Sequence, residues 1–475
     1  MRVRLRSIIL LSIIYLGLVS LLYHFLWRTH ALDKLFDTPG QQGPQANNEF
    51  VLFNFKRRSG PHVYGDHNVS SKVNQSQLPT PFGHLKLPNH LGNHSGKPLL
   101  QGRVNLTGTG NASNLLEPPN YCLHAFYYIW YGSKEFDGQY FHWNHRYLPH
   151  WQDSLRKKFP LGRHMPPNDI GASFYPQLGT YSSKDPHIME THMRQLREAG
   201  IGVVSVSWYP PGLADSEGFP PDPVIPLLLD VAQKFAMKVT LHIEPYENRS
   251  ALTFLNDLKY IYKHYFHHPA FYKYRSVGES GKGRLLPLIY IYDSYLTPAN
   301  EWSAVLKLGG KSSIRQSKHD CVAIALLVQE SHKRSILEAG FDGFYTYFGS
   351  IGFSYGSTPT KWSLLAKFAM QQKLLFIPSF SPGYDDTRVR PWNSKTSKER
   401  KDGRYYKEMF ESALAANHGG ILSLTSFNEW HEGTQIEPAV PRSNGFTYLD
   451  YSPHSPEYYL QLTRKFSKQL QCSAL

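Results

Sequence analysis

Cysteine is scarce. Three occur among 475 residues, none in a Cys-x-x-Cys pair or at zinc-ligand spacing, which excludes a disulfide-dense scaffold and a zinc-ribbon module. No His-Glu-x-x-His motif is present, so no catalytic metal is expected. No Gly-x-Ser-x-Gly elbow presents a serine nucleophile either. No glycine-rich phosphate turn follows the first strand-like run, which disfavours an open doubly wound sheet, and no cofactor is expected. Long Lys/Arg blocks are also missing. Although 51 Lys and Arg outnumber 37 Asp and Glu, the resulting +14 is scattered along the chain, the pattern of a solvated surface rather than of nucleic-acid binding. With 41% hydrophobic residues, wholesale disorder is excluded and a sizeable core is expected.

Arg2, Arg4 and Arg6 precede an apolar run over 8–27, about the 20 residues that span a bilayer. No small-x-small cleavage site follows, so a retained signal anchor is expected, with residues 1–7 in the cytosol and the bulk of the chain luminal or extracellular. This is the type II arrangement, with the lipid bilayer as a partner through the anchor. Residues 28–119 are rich in Asn, Gly, His, Pro, Gln and Ser with little hydrophobic period, and read as a mostly disordered stalk. The stalk carries N-x-S/T acceptors at Asn68, Asn74, Asn93, Asn105 and Asn111, and another lies at Asn248. These support a secretory-pathway lumen. Cys122 and Cys472 flank the folded part, either as free thiols or as a bridge, and Cys321 lies inside an apolar run.

Residues 120–475 show a regular alternation. Apolar, β-rich runs over 123–131, 201–209, 238–246, 286–293, 321–328, 341–348, 374–380 and 420–427 predict parallel strands buried on both faces. Helical stretches over 186–199, 223–236, 251–266, 330–339, 361–372, 405–416 and 456–470 separate or follow them, with a weaker one between 298 and 310. Eight such units close most simply into a (β/α)8 TIM barrel. The connection over 132–184 is too long for an ordinary loop and reads as a binding or lid element, dense in Trp143, His145, Trp151, His164, Tyr175 and Tyr181.

Barrels of this type place their chemistry at the C-terminal ends of the strands. Those ends carry Tyr128 and Trp130, Trp208 and Tyr209, His242 and Glu244, Asp293, and Tyr347, while the last strand runs into Asn428-Glu429-Trp430-His431-Glu432. Two carboxyls three residues apart at one barrel mouth suit glycoside hydrolysis. One acid protonates the leaving oxygen and a second carboxylate acts elsewhere on the sugar. Burial and mutual repulsion would raise the pKa of the acid. Trp130, Trp208, Tyr209 and Trp430 offer faces on which sugar rings stack.

The stretch Phe427-Asn428-Glu429-Trp430-His431-Glu432-Gly433-Thr434-Gln435-Ile436-Glu437 resembles the active-site signature of glycoside hydrolase family 99. Blocks over 126–132, 136–145, 169–185, 207–211, 242–246, 290–295, 341–348, 390–393 and 448–451 extend the resemblance over 121–466. It implies a TIM barrel and metal-independent, retaining, endo-acting cleavage of the α-1,2-mannosyl linkage in glucosylated high-mannose N-glycans, releasing a glucosyl-mannose fragment. It also implies residence in the Golgi membrane. Glu429 would deprotonate the mannose O2, which attacks C1 to give a 1,2-anhydro sugar, and Glu432 would act as general acid and then base. Tyr128, Trp130, Trp208, Tyr209, His242, Glu244, Asp293, Tyr347, Asn428 and Trp430 are the expected glycan-binding residues. A membrane-tethered lectin that binds such glycans without cutting them is the rival reading.

Overall fold

The structure, a computed structural model, describes residues 116, 118–149, 154–277, 283–417 and 420–472. The expected anchor, the five stalk sequons and Trp151 lie outside the described residues. Among the described residues no helix is long and apolar enough to cross a membrane.

Among the described residues ten strands form the sheet: β1 (Asn120–Tyr127), β2 (Ile201–Trp208), β3 (Lys238–Ile243), β4 (Lys273–Val277), β5 (Gly283–Ile291), β6 (Val322–Leu326), β7 (Gly343–Tyr345), β8 (Leu375–Ile377), β9 (Ser379–Phe380) and β10 (Leu422–Leu424). The order is β8-β7-β6-β5-β3-β2-β1-β10-β9, with every neighbouring pair parallel. β8 and β9 are halves of one run interrupted at Pro378. The first half pairs with β7 and the second with β10, so this run joins the two edges into a nearly closed barrel. The unbroken strand expected over 374–380 fails because proline has no N–H for the ladder. The Pro378 carbonyl still accepts from the Ser423 N–H at 3.1 Å. β4 was not anticipated. Its Lys-Tyr-Arg-Ser-Val sequence lacks a strong apolar run, and it pairs antiparallel with the outer part of β5.

Nine α-helices accompany the strands among the described residues: α1 (Lys134–Asp137), α2 (Pro186–Glu198), α3 (Ile225–Lys234), α4 (Ala251–His264), α5 (Ala299–Leu306), α6 (His332–Ala339), α7 (Trp362–Gln372), α8 (Arg404–Ala416) and α9 (Tyr458–Gln469). Apart from the one-turn α1, each follows a barrel strand, completing the (β/α)8 alternation. Their starts follow from local chemistry. Asp185 caps α2 by accepting from the His187 N–H, with Pro186 at the first helical position. Ser250 and Thr253 form a reciprocal capping box on α4. α2 buries Met189, His192, Met193 and Leu196, the spacing of one helical face.

The barrel interior is aromatic and hydrogen-bonded. The Phe126 ring packs against His242, Tyr290, Tyr345 and Tyr347 at centroid distances of 4.9, 5.6, 5.6 and 5.0 Å. Two polar links run between strands: His124 Nδ1 to the Tyr290 hydroxyl at 2.9 Å and His242 Nε2 to the Tyr345 hydroxyl at 2.6 Å. This floor stands directly beneath the barrel mouth and fixes the rings that line it. Burial holds His124 far below its ordinary value, at about 3, so it is neutral.

Cys122 and Cys472 form a disulfide with Cα atoms 5.5 Å apart, and Cys321 is a buried free thiol. Beside the bridge, Asn120 Nδ2 donates to the carbonyls of Leu470 (2.8 Å) and Ser467 (3.1 Å), tying the first strand to the end of α9. Thiol titration of the denatured, unreduced chain is therefore expected to find one thiol, and three after reduction. Three before reduction would contradict the bridge.

Candidate active site

The loop after β10 is stitched before it reaches the mouth. The Phe427 N–H donates to the Phe126 carbonyl at 2.9 Å, and the Ser426 N–H to the Thr434 carbonyl at 2.9 Å. Ser426 Oγ accepts from the Glu429 N–H at 2.7 Å. Arg400 Nη2 donates to the carbonyls of Gly433 and Gln435 at 2.9 and 2.7 Å, clamping the far side of the turn. Gly433 has φ +60°, and a Cβ there would lie 2.9 Å from the Asp385 carbonyl oxygen, so the turn requires glycine. The Asp385 N–H in turn donates to the Glu432 carbonyl at 2.7 Å.

Behind this turn lies a buried anchor. Glu437, fully excluded from solvent, accepts from Trp430 Nε1 (2.9 Å) and the Tyr181 hydroxyl (2.8 Å), and lies 3.1 Å from His192 Nε2. Trp430 is fully buried in this network. It does not line the cleft, so its expected role as a stacking platform is corrected. Asn428 is likewise a fastener: its amide accepts from the Tyr128 N–H and donates to the Tyr128 carbonyl, both at 2.8 Å. With its hydrogen-bonding groups engaged on backbone and no exposed surface, it is not placed to bind a ligand.

The cleft is lined by Tyr128 and Trp130 after β1, Tyr209 after β2, and His242 and Glu244 at the end of β3. Tyr292 after β5, Tyr347 after β7, and Glu429, His431 and Glu432 after β10 complete the strand-end contribution. His142, His145 and Leu148 enter from the long loop after β1, Asp215 and Ser216 from the loop after β2, and Val389 and Arg390 from the loop after β9. Eight of the expected binding residues stand on strand ends, and six of them, Tyr128, Trp130, Tyr209, His242, Glu244 and Tyr347, line the cleft. Tyr209 faces the mouth, whereas its neighbour Trp208 points outward, donating to Asp222 Oδ1 at 2.9 Å and stacking on Tyr260 of α4. Asp293 is not among the cleft-lining residues and accepts from the Tyr295 hydroxyl at 2.7 Å. The assignments of Trp208 and Asp293 to the cleft are therefore corrected.

The long loop is a packed wall rather than a lid. Trp143 is fully buried, donates to the Tyr181 carbonyl at 2.7 Å and stacks on Tyr131 at 4.2 Å. His164 and Tyr175 are also buried and lie off the cleft. His142, Asp215, Tyr292 and Arg390 were not singled out from sequence. The family-like blocks at 136–145, 290–295 and 390–393 contain His142, Tyr292 and Arg390, whereas Asp215 carried no signal. Asn248 is exposed on the turn before α4, accessible for glycosylation.

Electrostatics distinguish the two signature carboxyls. Glu429 is held well above the ordinary carboxylate range by burial first and by the charge of Glu432 second, with Arg390 opposing. Glu432 is pushed up to about 7, chiefly by burial. Arg390, 3.8 Å from its Oε1, pulls down, while Asp386 and Glu244 push up. Arg390 is itself held by Asp386 at 3.0 Å. Oε2 of Glu429 and Oε2 of Glu432 are both buried and accept no hydrogen bond from the protein. Glu244 differs: it accepts from Ser207 Oγ at 2.7 Å and lies 3.3 Å from His242 Nδ1. The hydroxyls of Tyr128 and Tyr347 are hydrogen-bonded to each other across the cleft.

Residues 118–472 match the sequence profile of Glycosyl hydrolase family 99. The chain belongs to this family. As a family 99 member it is a glycoside hydrolase. It is 52% identical over 353 residues to the glycoprotein endo-alpha-1,2-mannosidase of Xenopus laevis, covering 74% of this chain and 78% of that protein. It is 50% identical over 347 residues to a glycoprotein endo-alpha-1,2-mannosidase-like protein of Homo sapiens, covering 73% and 76%. Among solved structures it is similar to the GH99 endo-alpha-mannosidase from Bacteroides thetaiotaomicron, with a TM-score of 0.66, 41% identity, and coverage of 74% of this chain and 98% of that one. That family 99 structure supports the barrel assignment.

The carboxyl electrostatics have a stability signature. Glu432 keeps its proton in the fold up to about pH 7 but loses it near 4.5 in an ordinary setting, so its contribution is fully present below 4.5 and is lost as pH rises through 7. Glu432→Gln, which cannot ionise, is expected to melt higher than the wild type at pH 8, with the advantage vanishing towards pH 4.5. A difference constant across that range would contradict the raised pKa.

Proposed function

We propose that the chain is an endo-acting α-1,2-mannosidase of glucosylated high-mannose N-glycans, releasing a glucosyl-mannose oligosaccharide with retention of configuration. The observation that carries the reading is the pair of buried carboxyl oxygens, on Glu429 and Glu432, that face one cleft without a hydrogen bond from the protein. Buried acceptors of this kind are satisfied by the ligand they serve. The names of the similar proteins supply the substrate class, and the aromatic walls from Tyr128, Trp130, Tyr209, Tyr292 and Tyr347 suit a pyranose.

The chemistry follows from the two environments. Like-charged neighbours share protons as a unit, and the productive form carries one proton and one charge. The charge lies on Glu429, where burial raises the basicity that a weakly acidic sugar hydroxyl demands, and the proton on Glu432. It takes the proton from O2 of the mannosyl unit, and O2 attacks C1. Glu432, with a value of about 7, donates its proton to the departing glycosidic oxygen. A 1,2-anhydro sugar results. Ionised Glu432 then takes a proton from water as that water opens the epoxide at C1, and Glu429 returns its proton to O2. Two inversions at C1 give retention.

The proposed setting is the Golgi lumen, reached by a single-pass type II anchor over residues 8–27. The Cys122–Cys472 bridge, common in oxidising compartments, and the sequons at Asn68, Asn74, Asn93, Asn105, Asn111 and Asn248 support this reading.

Incubating the chain with a glucosylated high-mannose glycan and weighing the products tests the activity. Release of the glucose-capped fragment is expected, and intact glycan after prolonged exposure would favour the lectin instead. Glu432→Gln and Glu429→Gln should each fold and lower turnover by about 100-fold or more. In the pH profile of kcat/KM the alkaline limb should fall near 7 and move upward in Arg390→Met, which removes the charge that lowers Glu432. A limb that stays put or moves down would contradict the assignment of Glu432 as the acid.

A further inference from the structure

We propose that His142, His145 and His431 form a three-imidazole binding site for a zinc-class divalent cation on the wall of the cleft. One ring nitrogen from each lies within 4.8 Å of one from each of the others. His142 and His145 come from the loop after β1, and His431 stands between the two signature glutamates, so the cluster exists only in the folded barrel.

Hydrogen bonds fix which nitrogen of each ring is already engaged. His142 Nε2 is bonded to Asp215 Oδ2 at 2.8 Å, His145 Nδ1 to the Arg146 carbonyl at 2.8 Å, and His431 Nδ1 to the Gly171 carbonyl at 2.7 Å. All three partners are acceptors, so each of these nitrogens carries the ring proton. The lone pairs left over are on His142 Nδ1, His145 Nε2 and His431 Nε2. Of these, His142 Nδ1 and His431 Nε2 are buried and have no hydrogen-bond partner in the protein. A carboxylate or carbonyl holding the far nitrogen of each ring is the arrangement that orients metal-binding histidines.

The support behind the rings is built to the same end. Asp215 Oδ1 accepts from the N–H groups of Glu217 (2.9 Å) and Phe219 (3.0 Å), leaving Oδ2 for His142. Trp130 stacks flat on His142, with centroids 4.3 Å apart and planes 4° from parallel. A Cβ at Gly171 would lie 2.8 Å from the His145 Cβ and 3.4 Å from His431 Nδ1, so the absence of a side chain there lets the two histidines approach. Three imidazole nitrogen donors select a borderline metal such as zinc over magnesium or calcium, which prefer oxygen. Zinc–nitrogen bonds of about 2.0–2.1 Å draw the rings inward and leave a fourth position open to the cleft. The cation is not a reactant in the hydrolysis proposed above. The site stands on coordination chemistry alone, and its test reads metal binding rather than turnover.

The full chain, stripped with a chelator, is titrated with zinc sulfate by calorimetry at pH 7.5. One zinc per chain is expected. Affinity should fall at least 100-fold in His145→Ala and in His431→Ala, and by about 10–100-fold in Asp215→Asn, which keeps all three ligands. His187→Ala, an exposed histidine elsewhere, should leave it unchanged. In the wild type, cobalt(II) should give the intense visible bands of a tetrahedral site, a readout that needs no variant to fold. Absence of stoichiometric zinc, a six-coordinate cobalt spectrum, or equal affinity in folded triad variants would overturn the proposal and leave the lone pairs to water or glycan hydroxyls.

Discussion

Repulsion between carboxyl groups kept from water is the constraint around which the barrel mouth is organised. Glu432 raises the proton affinity of Glu429, Glu244 adds to both, Asp386 adds to Glu432, and the cleft answers with the guanidinium of Arg390. Left alone, side chains in that position would swing apart into solvent. They are held because the backbone carrying them is fastened at every point: by Ser426, by the Asn428 amide on Tyr128, by Arg400 on the Gly433 and Gln435 carbonyls, and by Trp430 on Glu437. Most of the polar groups in the signature stretch serve this purpose. Two do the facing.

That division explains which parts of the site could be read in the sequence. The glutamate pair was legible because both residues lie in one run after a buried strand, where proximity in sequence guarantees proximity in space. The flanking residues were not. Trp208 and Tyr209 are adjacent, yet alternation along β2 sends one to the helices and the other to the mouth, and composition cannot say which. Asn428 and Trp430 look like sugar-binding types, and only the three-dimensional partners of their polar atoms reveal them as fasteners. His142, Asp215 and Arg390 come from three different loops. No spacing rule connects residues so far apart in sequence.

The fold was more transparent, for a physical reason. A parallel strand buried on both faces is largely apolar, and the barrel runs display this, with hydrogen-bonded exceptions such as His124, Thr240, His242 and Ser423. The departures occur where another demand overrides hydrophobicity. Pro378 divides a strand because it lacks a donor, and β4, which lacks a strong apolar run, pairs antiparallel with the outer part of β5. Barrel and mouth are also joined energetically. The Phe126, Tyr290 and Tyr345 rings that fill the interior pack against His242 and Tyr347, which line the cleft, so the floor of the site is the top layer of the core.

In the proposed reaction, burial and repulsion, not merely proximity, prepare the carboxyls for proton transfer. The most direct measurement is a carbon-13 NMR titration of Glu432 in the folded chain, with Glu429→Gln and Glu244→Gln as controls. A midpoint near 7, lower in Glu244→Gln, agrees with the account. A midpoint at the ordinary carboxylate value in the wild type would contradict it.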